Sequence, residues 1–329
     1  MASAREVPLH IPGVAIRDFQ PQDYPSIVEI ANHVYPEHPT TVEEERFDDA
    51  NFDRSKYFWR RLVAVDADRV VGDVTFTHVP WAFDARRFNV WVAVHPMWQR
   101  RGIGGFLYER ALDELRPHAP KQFRTWAQDT KAETISFLQR RGFLELHRSW
   151  ESRLDLTTFD PLKFARYAVV PPGIEVVTLP DELARDPESL RKVYEMDCVT
   201  ALDVPRVDPF TPASYEMWRE QSLSGPRALL ESCFLAKDGD RYVGQSNFER
   251  NETLRDVLYT GYTAVLREYR GKGIAFALKL RALEYARRRG CREIRTWNSS
   301  LNAPMLGINV KLGFVKQPAW ITFGKDLEG

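Results

Sequence analysis

Two stretches of this chain, Gln99-Arg100-Arg101-Gly102-Ile103-Gly104-Gly105 and Arg270-Gly271-Lys272-Gly273-Ile274-Ala275, join cations to closely spaced small residues. Each follows an apolar run, FNVWVAVHP or LYTGYTAV, and each opens into a segment with apolar residues at three-to-four spacing, GIGGFLYERALDEL or GIAFALKLRALEYA. A strand, a basic turn and a helix in that order converge successive backbone N–H groups in front of the positive end of a helix dipole. Such a turn binds phosphate. Gly102 and Gly104, and Gly273 with Ala275, leave the main chain open to a ligand, while Arg100, Arg101, Arg270 and Lys272 add charge. The spacing is neither G-x-G-x-x-G nor G-x-x-x-x-G-K-[ST], which sets aside the dinucleotide and nucleoside-triphosphate loops. A bare left-handed turn would account for one such stretch. Two copies with the same strand before and the same helix after argue for a shared ligand.

The elements that position these turns are themselves duplicated. A shift of 171 residues, the distance from Gly102 to Gly273, also lays Arg110-Ala111-Leu112 on Arg281-Ala282-Leu283, Arg124-Thr125-Trp126 on Arg295-Thr296-Trp297, and Gly142-Phe143 on Gly313-Phe314. Upstream, a shift of 172, from Gly72 to Gly244, lays LVAVDADRVVG on FLAKDGDRYVG. Each copy reads as a strand, a helix, three strands, a helix, a strand, a helix and a last strand. That order implies an α/β fold with a mixed sheet and helices packed on it. The spacing places one domain over residues 1–160, a linker over 161–173 broken by Pro171-Pro172-Gly173, and a second domain over 174–329.

Composition narrows the function. With 329 residues the chain holds two cores, and its 46 basic and 46 acidic residues cancel, so no global field points to nucleic acid or a membrane surface. Three cysteines without paired spacing build neither a disulfide framework nor a zinc site, and no metal is expected. The first ten residues, MASAREVPLH, lack the apolar core of a leader, and no run is long enough to span a bilayer; a cytoplasmic protein is expected.

The two turns resemble the Q/R-x-x-G-x-G/A signature of the GNAT superfamily of acetyl-CoA-dependent N-acyltransferases, and Arg141-Gly142-Phe143 and Leu312-Gly313-Phe314 resemble that family's closing helix and turn. The resemblance covers nearly the whole chain twice, as two tandem GNAT domains. It implies acetyl-CoA as cofactor, with a pyrophosphate on each turn and a pantetheine arm along the edge of the preceding strand, at Ala93-Val94 and Ala264-Val265. It also implies transfer of an acetyl group to a primary amine by direct attack in a ternary complex. An alkylamine with pKa near ~10 must lose a proton before it attacks, and the thioester oxygen, turning negative, needs a donor, for which the N–H of Val94 or Val265 is the family-like candidate.

The chain departs from the family where protons move. A tyrosine acid often stands four residues before the closing glycine; here Leu138 and Asn309 stand there. A carboxylate often stands five residues before the alanine that precedes the signature; here the residues are Phe88 and Tyr259. All seven histidines lie in the first copy, and His78 and His95 are expected to be structural or solvated. In the second copy Glu249 and Tyr259 are the candidates for base or water-holder, Asn309 joins them from the helix, and Asn302 is expected to cap that helix and donate to the pantetheine. This contrast favours catalysis in the second copy, with cofactor also on the first. Trp126 and Trp297 are expected in the core. The non-repeating segments 33–52 and 196–222 are the specificity candidates, and the acidic residues of the first, Glu43 to Glu45 with Asp48 and Asp49, read as a solvated helix face. The expected partner is a small-molecule or peptide amine, and the chain a monomer or homodimer. A coenzyme-A-binding scaffold without turnover and a transferase for longer acyl groups are the competing readings.

Overall fold

The computed structural model describes residues 11–327; the stretch read for a leader lies outside them. The chain divides into two compact units. The first comprises the described residues of Met1–Ala127, Lys131–Leu146 and Thr322–Gly329, and the second Gln128–Thr130 and His147–Ile321. The first unit contains β1 (Val14–Asp18), α1 (Tyr24–Val34), α2 (Val42–Asn51), β2 (Trp59–Asp66), β3 (Arg69–Thr77), β4 (Arg87–Val94), α3 (Ile103–Leu115), most of β5 (Gln122–Gln128), α4 (Ala132–Gln139) and the start of β6 (Leu144–Asp155). The second contains the rest of β6, β7 (Ile174–Thr178), α5 (Leu179–Arg185), α6 (Ser189–Ala201), α7 (Tyr215–Leu223), β8 (Phe234–Asp238), β9 (Arg241–Arg250), β10 (Val257–Val265), α8 (Ile274–Arg288), β11 (Glu293–Ser299), α9 (Ala303–Leu312) and most of β12 (Val315–Asp326). Among the described residues no helix is long and apolar enough to cross a membrane.

Within the first unit the strands run in the order β1-β2-β3-β4-β5, followed by the end of β12. The second repeats this as β7-β8-β9-β10-β11, followed by β6. Each unit therefore completes its sheet with the strand that closes the other half of the sequence. In the first, the Gln122 amide donates to Asp326 and Leu327 N–H donates to the Lys121 carbonyl at 2.9 Å. In the second, β6 pairs antiparallel with β11 from Glu293↔Asp155 to Ser299↔Ser149. The pairs β1–β2, β2–β3, β3–β4, β6–β11, β7–β8, β8–β9 and β9–β10 are antiparallel, whereas β4 with β5 and β10 with β11 are parallel, their connections running through α3 and α8. Parallel strands need such a crossover, and the amphipathic helices supply it by burying one face, Ile103, Leu107 and Ala111 in α3 and Ile274, Leu278 and Ala282 in α8.

The segment 161–173 is not extended throughout. Pro161–Tyr167 forms a 3-10 helix whose Phe164 and Tyr167 pack against the core around Phe276. The acidic segment of the first copy also departs from a solvated face. Thr41 and Glu44 form a capping box at the start of α2, and Asp49 is buried, bonded to the Arg61 guanidinium at 2.9 Å and to the Tyr24 hydroxyl at 2.9 Å. Arg61 also holds Glu45 at 3.2 Å. These carboxylates are structural because Arg61 is itself buried and takes its counter-charge from them.

Buried carboxyls occur in both units. Burial pushes Asp73 of β3 up to about 7 despite the pull of Arg61, and pushes Asp197 of α6 up to about 8. Asp197 as a residue keeps some exposure, but its carboxyl is enclosed and accepts from the Gln245 amide and the Trp218 indole. Between the unfolded value near ~3.9 and about 8, the native state holds a proton that the unfolded chain has released, so stability falls as pH rises through that window. The D197N variant should show a flatter decline in urea midpoint between pH 5 and pH 8 than the wild type; an identical decline would show that Asp197 does not carry the proton.

Candidate functional site

The site of each unit begins where two parallel strands part. In the first unit β4 and β5 pair only from Arg87↔Gln122 to Asn89↔Arg124, although β4 continues to Val94 and β5 to Gln128. In the second, β10 and β11 pair only from Val257↔Glu293 to Tyr259↔Arg295 and then diverge in the same way. The result is a V-shaped gap edged by main-chain groups. His95 N–H donates to Val71 on β3 and Leu266 N–H to Val243 on β9, so the alternate amides of Val94 and Val265 face the gap. The carbonyls of the same two residues are occupied. Gln99 Nε2 donates to Val94 O at 2.9 Å and Arg270 Nε to Val265 O at 2.9 Å. The first signature residue thus ties the turn to the strand end, and the second guanidinium nitrogen of Arg270 bonds Asp203 at 2.6 Å.

Beyond that tie the backbone curls through two left-handed residues two apart, Arg100 (φ 65°) and Gly102 (φ 90°), or Gly271 (φ 74°) and Gly273 (φ 84°). Gly102 and Gly273 are the N-caps of α3 and α8, and neither helix has a side-chain cap there. Phe106 and Ala277 make the first bonds back, to Gly102 O and Gly273 O. The amides of Ile103, Gly104 and Gly105, and of Ile274, Ala275 and Phe276, are therefore the uncapped first-turn donors expected of an anion site. Ile103 and Ile274 contribute only main chain, since both side chains are 1% exposed. A Cβ on Gly104 would meet Val94 at an ordinary 3.6 Å, which explains why alanine serves at 275. Lys272 lies over the Tyr269 ring at 5.0 Å, and Arg101 over Trp98 at 6.0 Å.

The two gaps differ in their lining. That of the first unit is a cleft between Val90, Trp91 and Val92 on one side and Thr125, Trp126 and Phe137 on the other. Trp126 is 39% exposed and packs on Trp91 at 5.1 Å, so it is not a core residue: β5 has left its partner by then and presents Trp126 to the cleft. Leu138 is buried beside it, and Lys131 Nζ is spent on Val34 O at 2.8 Å. His78 and His95 are structural. His78 Nδ1 accepts from Phe58 N–H at 3.0 Å and His95 Nδ1 from Met97 N–H at 3.2 Å, and burial lowers the pKa of both. His95 also stands with Glu29 and His33, whose ligand atoms lie within 4.8 Å of its own. The Met97 bond places the proton of neutral His95 on Nε2, which lies 3.7 Å from Glu29 Oε1.

In the second unit β10 carries a bulge. Thr260 pairs with Phe248 and Thr263 with Ser246, so Gly261 and Tyr262 together face Asn247, and Asn247 Oδ1 takes Tyr262 N–H at 2.6 Å. The extra residue corrects the sequence register: Tyr259 occupies the place of Asn89, not of Phe88, because Asn89 pairs with Arg124 as Tyr259 pairs with Arg295. Phe88 points into the core and Tyr259 to the opposite face, stacked on Trp297 at 5.4 Å and 4°. Glu249 is directly opposite Tyr259 on β9 and shares that face. Its Oε1 lies 3.1 Å from where a Cβ on Gly261 would be, so the carboxylate is beside the bulge. Burial raises the pKa of the Tyr259 hydroxyl, which remains a neutral phenol at pH 7. Asn309, 1% exposed, donates Nδ2 to Asn298 Oδ1 at 2.6 Å, and its buried Oδ1 has no partner among the described residues. Asn302 caps α9 through Met305 N–H at 3.3 Å. Sequence reasoning missed the bulge, because the shorter connection between β9 and β10 outweighs the extra residue and the offset falls from 172 at Gly244 to 171 at Gly273.

Both halves of the chain match the model of the acetyltransferase (GNAT) family, over residues 24–143 and 192–314. N-alpha-acetyltransferase 30 of Schizosaccharomyces pombe is 33% identical over 90 residues, 26% of this chain and 59% of that relative, so less than two thirds of its length is matched. Mycothiol acetyltransferase of Thermobifida fusca is 25% identical over 293 residues, 80% of this chain and 82% of that one. A solved tandem GNAT protein from the clavulanic acid biosynthesis pathway superposes with a TM-score of 0.76 at 22% identity, covering 95% of this chain and 98% of its own. A GCN5-related N-acetyltransferase from Sphaerobacter thermophilus superposes at 0.69 and 18%, covering 96% of each chain; these two likenesses show the shared fold.

Two substitutions test the local geometry. At Gly261 a Cβ would stand 2.9 Å from Asn247 Oδ1, so G261A should lower stability by about 1–3 kcal/mol in denaturant titration. Arg100 holds a left-handed conformation that glycine adopts freely, and R100G should raise stability by about 0.5–1 kcal/mol in the same measurement.

Proposed function

As the chain belongs to the acetyltransferase (GNAT) family, we propose that this N-acetyltransferase moves an acetyl group from acetyl-CoA to a primary amine by direct attack, and that the second unit does so. The observation that carries the assignment to that unit is the bulge: Glu249 and Tyr259 share one face beside Gly261, whereas the corresponding cleft of the first unit is lined by Val90, Trp91, Val92 and Trp126. The residues present suit the donor. Uncapped amides at the start of each helix fit a diphosphate, the gap edge at Val94 or Val265 fits an amide-bearing arm, and the orphaned Asn309 Oδ1 fits an N–H donor. When bound, acetyl-CoA supplies an activated acyl carbon and a thiolate that leaves readily.

The protein supplies position and proton management. Glu249 takes the proton of the incoming ammonium, through a water that the neutral Tyr259 hydroxyl helps to hold, because a phenol whose pKa is raised by burial does not act as the base. Val265 N–H, facing the gap with no strand beside it, donates to the oxygen that turns negative as the amine adds. Asn309, an amide, does not release a proton at neutral pH; it orients a donor group through Oδ1. The first unit holds a second coenzyme A on the Gln99–Gly105 turn as a structural ligand, with Leu138 at the place of Asn309.

Thiol release in the presence of an amine tests the reading. The E249Q variant should lose about 10²-fold in kcat with KM for acetyl-CoA unchanged, and Y259F should lose less. Calorimetric titration should find two coenzyme A sites. Undiminished turnover in E249Q would remove Glu249 from the mechanism.

A further inference from the structure

The segment that joins α6 to α7 is longer than its counterpart between α1 and α2 and differs from it in sequence, and it brings Arg206 to the same face of the second unit as Tyr262. Tyr262 belongs to the bulge, and its hydroxyl bonds Thr200 Oγ1 on α6 at 3.1 Å. The guanidinium of Arg206 lies over the Phe210 ring at 4.7 Å, and its buried Nη1 has no hydrogen-bond partner among the described residues. Burial lowers its pKa, and the neighbouring group that acts on its charge is the Tyr262 hydroxyl, not a carboxylate. Two acids nearby in sequence are committed elsewhere. Asp203 holds Arg267 and Arg270, and the Asp197 carboxyl is protonated at neutral pH and held by Gln245 and Trp218. A partly buried guanidinium whose Nη1 has no partner among the described residues is costly, and an arriving anion offsets that cost.

We propose that the amine accepted by the second unit also carries a carboxylate, which Arg206 receives beside Tyr262. The inference rests on the second unit being catalytic, and it narrows the substrate class to amino acids and peptides with a free carboxyl end. The guanidinium fork suits a planar carboxylate in two parallel bonds, and Phe210 beneath it fixes the plane. The attacking amine then lies on the side of Glu249 and Tyr259, with the carboxylate at the α6–α7 segment.

The test compares amino acids and dipeptides with their carboxamides in thiol release by the full chain. Wild type should prefer the carboxylates by about 10- to 100-fold in kcat/KM, the worth of a hydrogen bond to a charged group. R206M should erase that preference through KM while leaving the carboxamides and the KM for acetyl-CoA unchanged, and R206K should restore part of it. Equal use of acids and amides by wild type overturns the proposal. So does an R206M defect confined to acetyl-CoA, which would assign Arg206 to the donor. If no amine releases thiol, the catalytic reading fails first, and calorimetry with N-acetylalanine and N-acetylalaninamide decides the rest: an acid that binds wild type and not R206M sustains the carboxylate site, and binding of neither overturns it.

Discussion

The structure depends on two pairs of parallel strands that stop pairing after three residues. A strand edge left without a partner is normally a liability, because unpaired N–H and C=O groups seek another strand. Here the edge is retained inside each unit and half-satisfied from within. Gln99 and Arg270 take the carbonyls at the strand ends, which leaves the amides of Val94 and Val265 as donors. The same side chains hold the turn against the strand, so the edge donor and the uncapped helix amides occupy fixed places relative to each other in each unit. One tie serves both functions.

The duplication separates what the two units share from what only one of them has. Both units keep the parting strands, the left-handed turn and the uncapped helix. Only the second has the extra residue in β10 that turns Tyr259 out of the core and places Glu249 against Gly261. In the first unit β4 pairs with β3 without interruption from Gly72↔Val94 to Thr77↔Asn89, and aromatic and aliphatic side chains fill the gap. A bulge costs ladder bonds, and Asn247 recovers one of them by accepting Tyr262 N–H.

Charge is handled in opposite ways on the helices that follow the first strands. In the first unit Arg61 gathers Glu45 and Asp49 into a closed set that holds α2 to the sheet. In the second, Asp203 is drawn to the glycine turn by Arg267 and Arg270, and Arg206 Nη1 has no hydrogen-bond partner among the described residues. The closed set is architecture. The open one is the place proposed for the ligand carboxylate.

The pattern of residues alone determined the duplication, the order of elements and the two glycine turns at the helix starts, because strand and helix periods and a left-handed glycine are local properties of the chain. It also determined that Asn302 caps α9. Non-local pairing decided the rest. A constant offset placed Tyr259 over Phe88, and only the hydrogen-bond register of β9, β10 and β11 showed a one-residue bulge that moves it to the other face. Composition marked the acidic run at 43–49 as solvated, but Arg61, folded against it from β2, made it structural. Trp126 has the character of a core residue and lines a cleft, since whether a strand position is covered depends on where its neighbour stops, and no residue carries that information by itself.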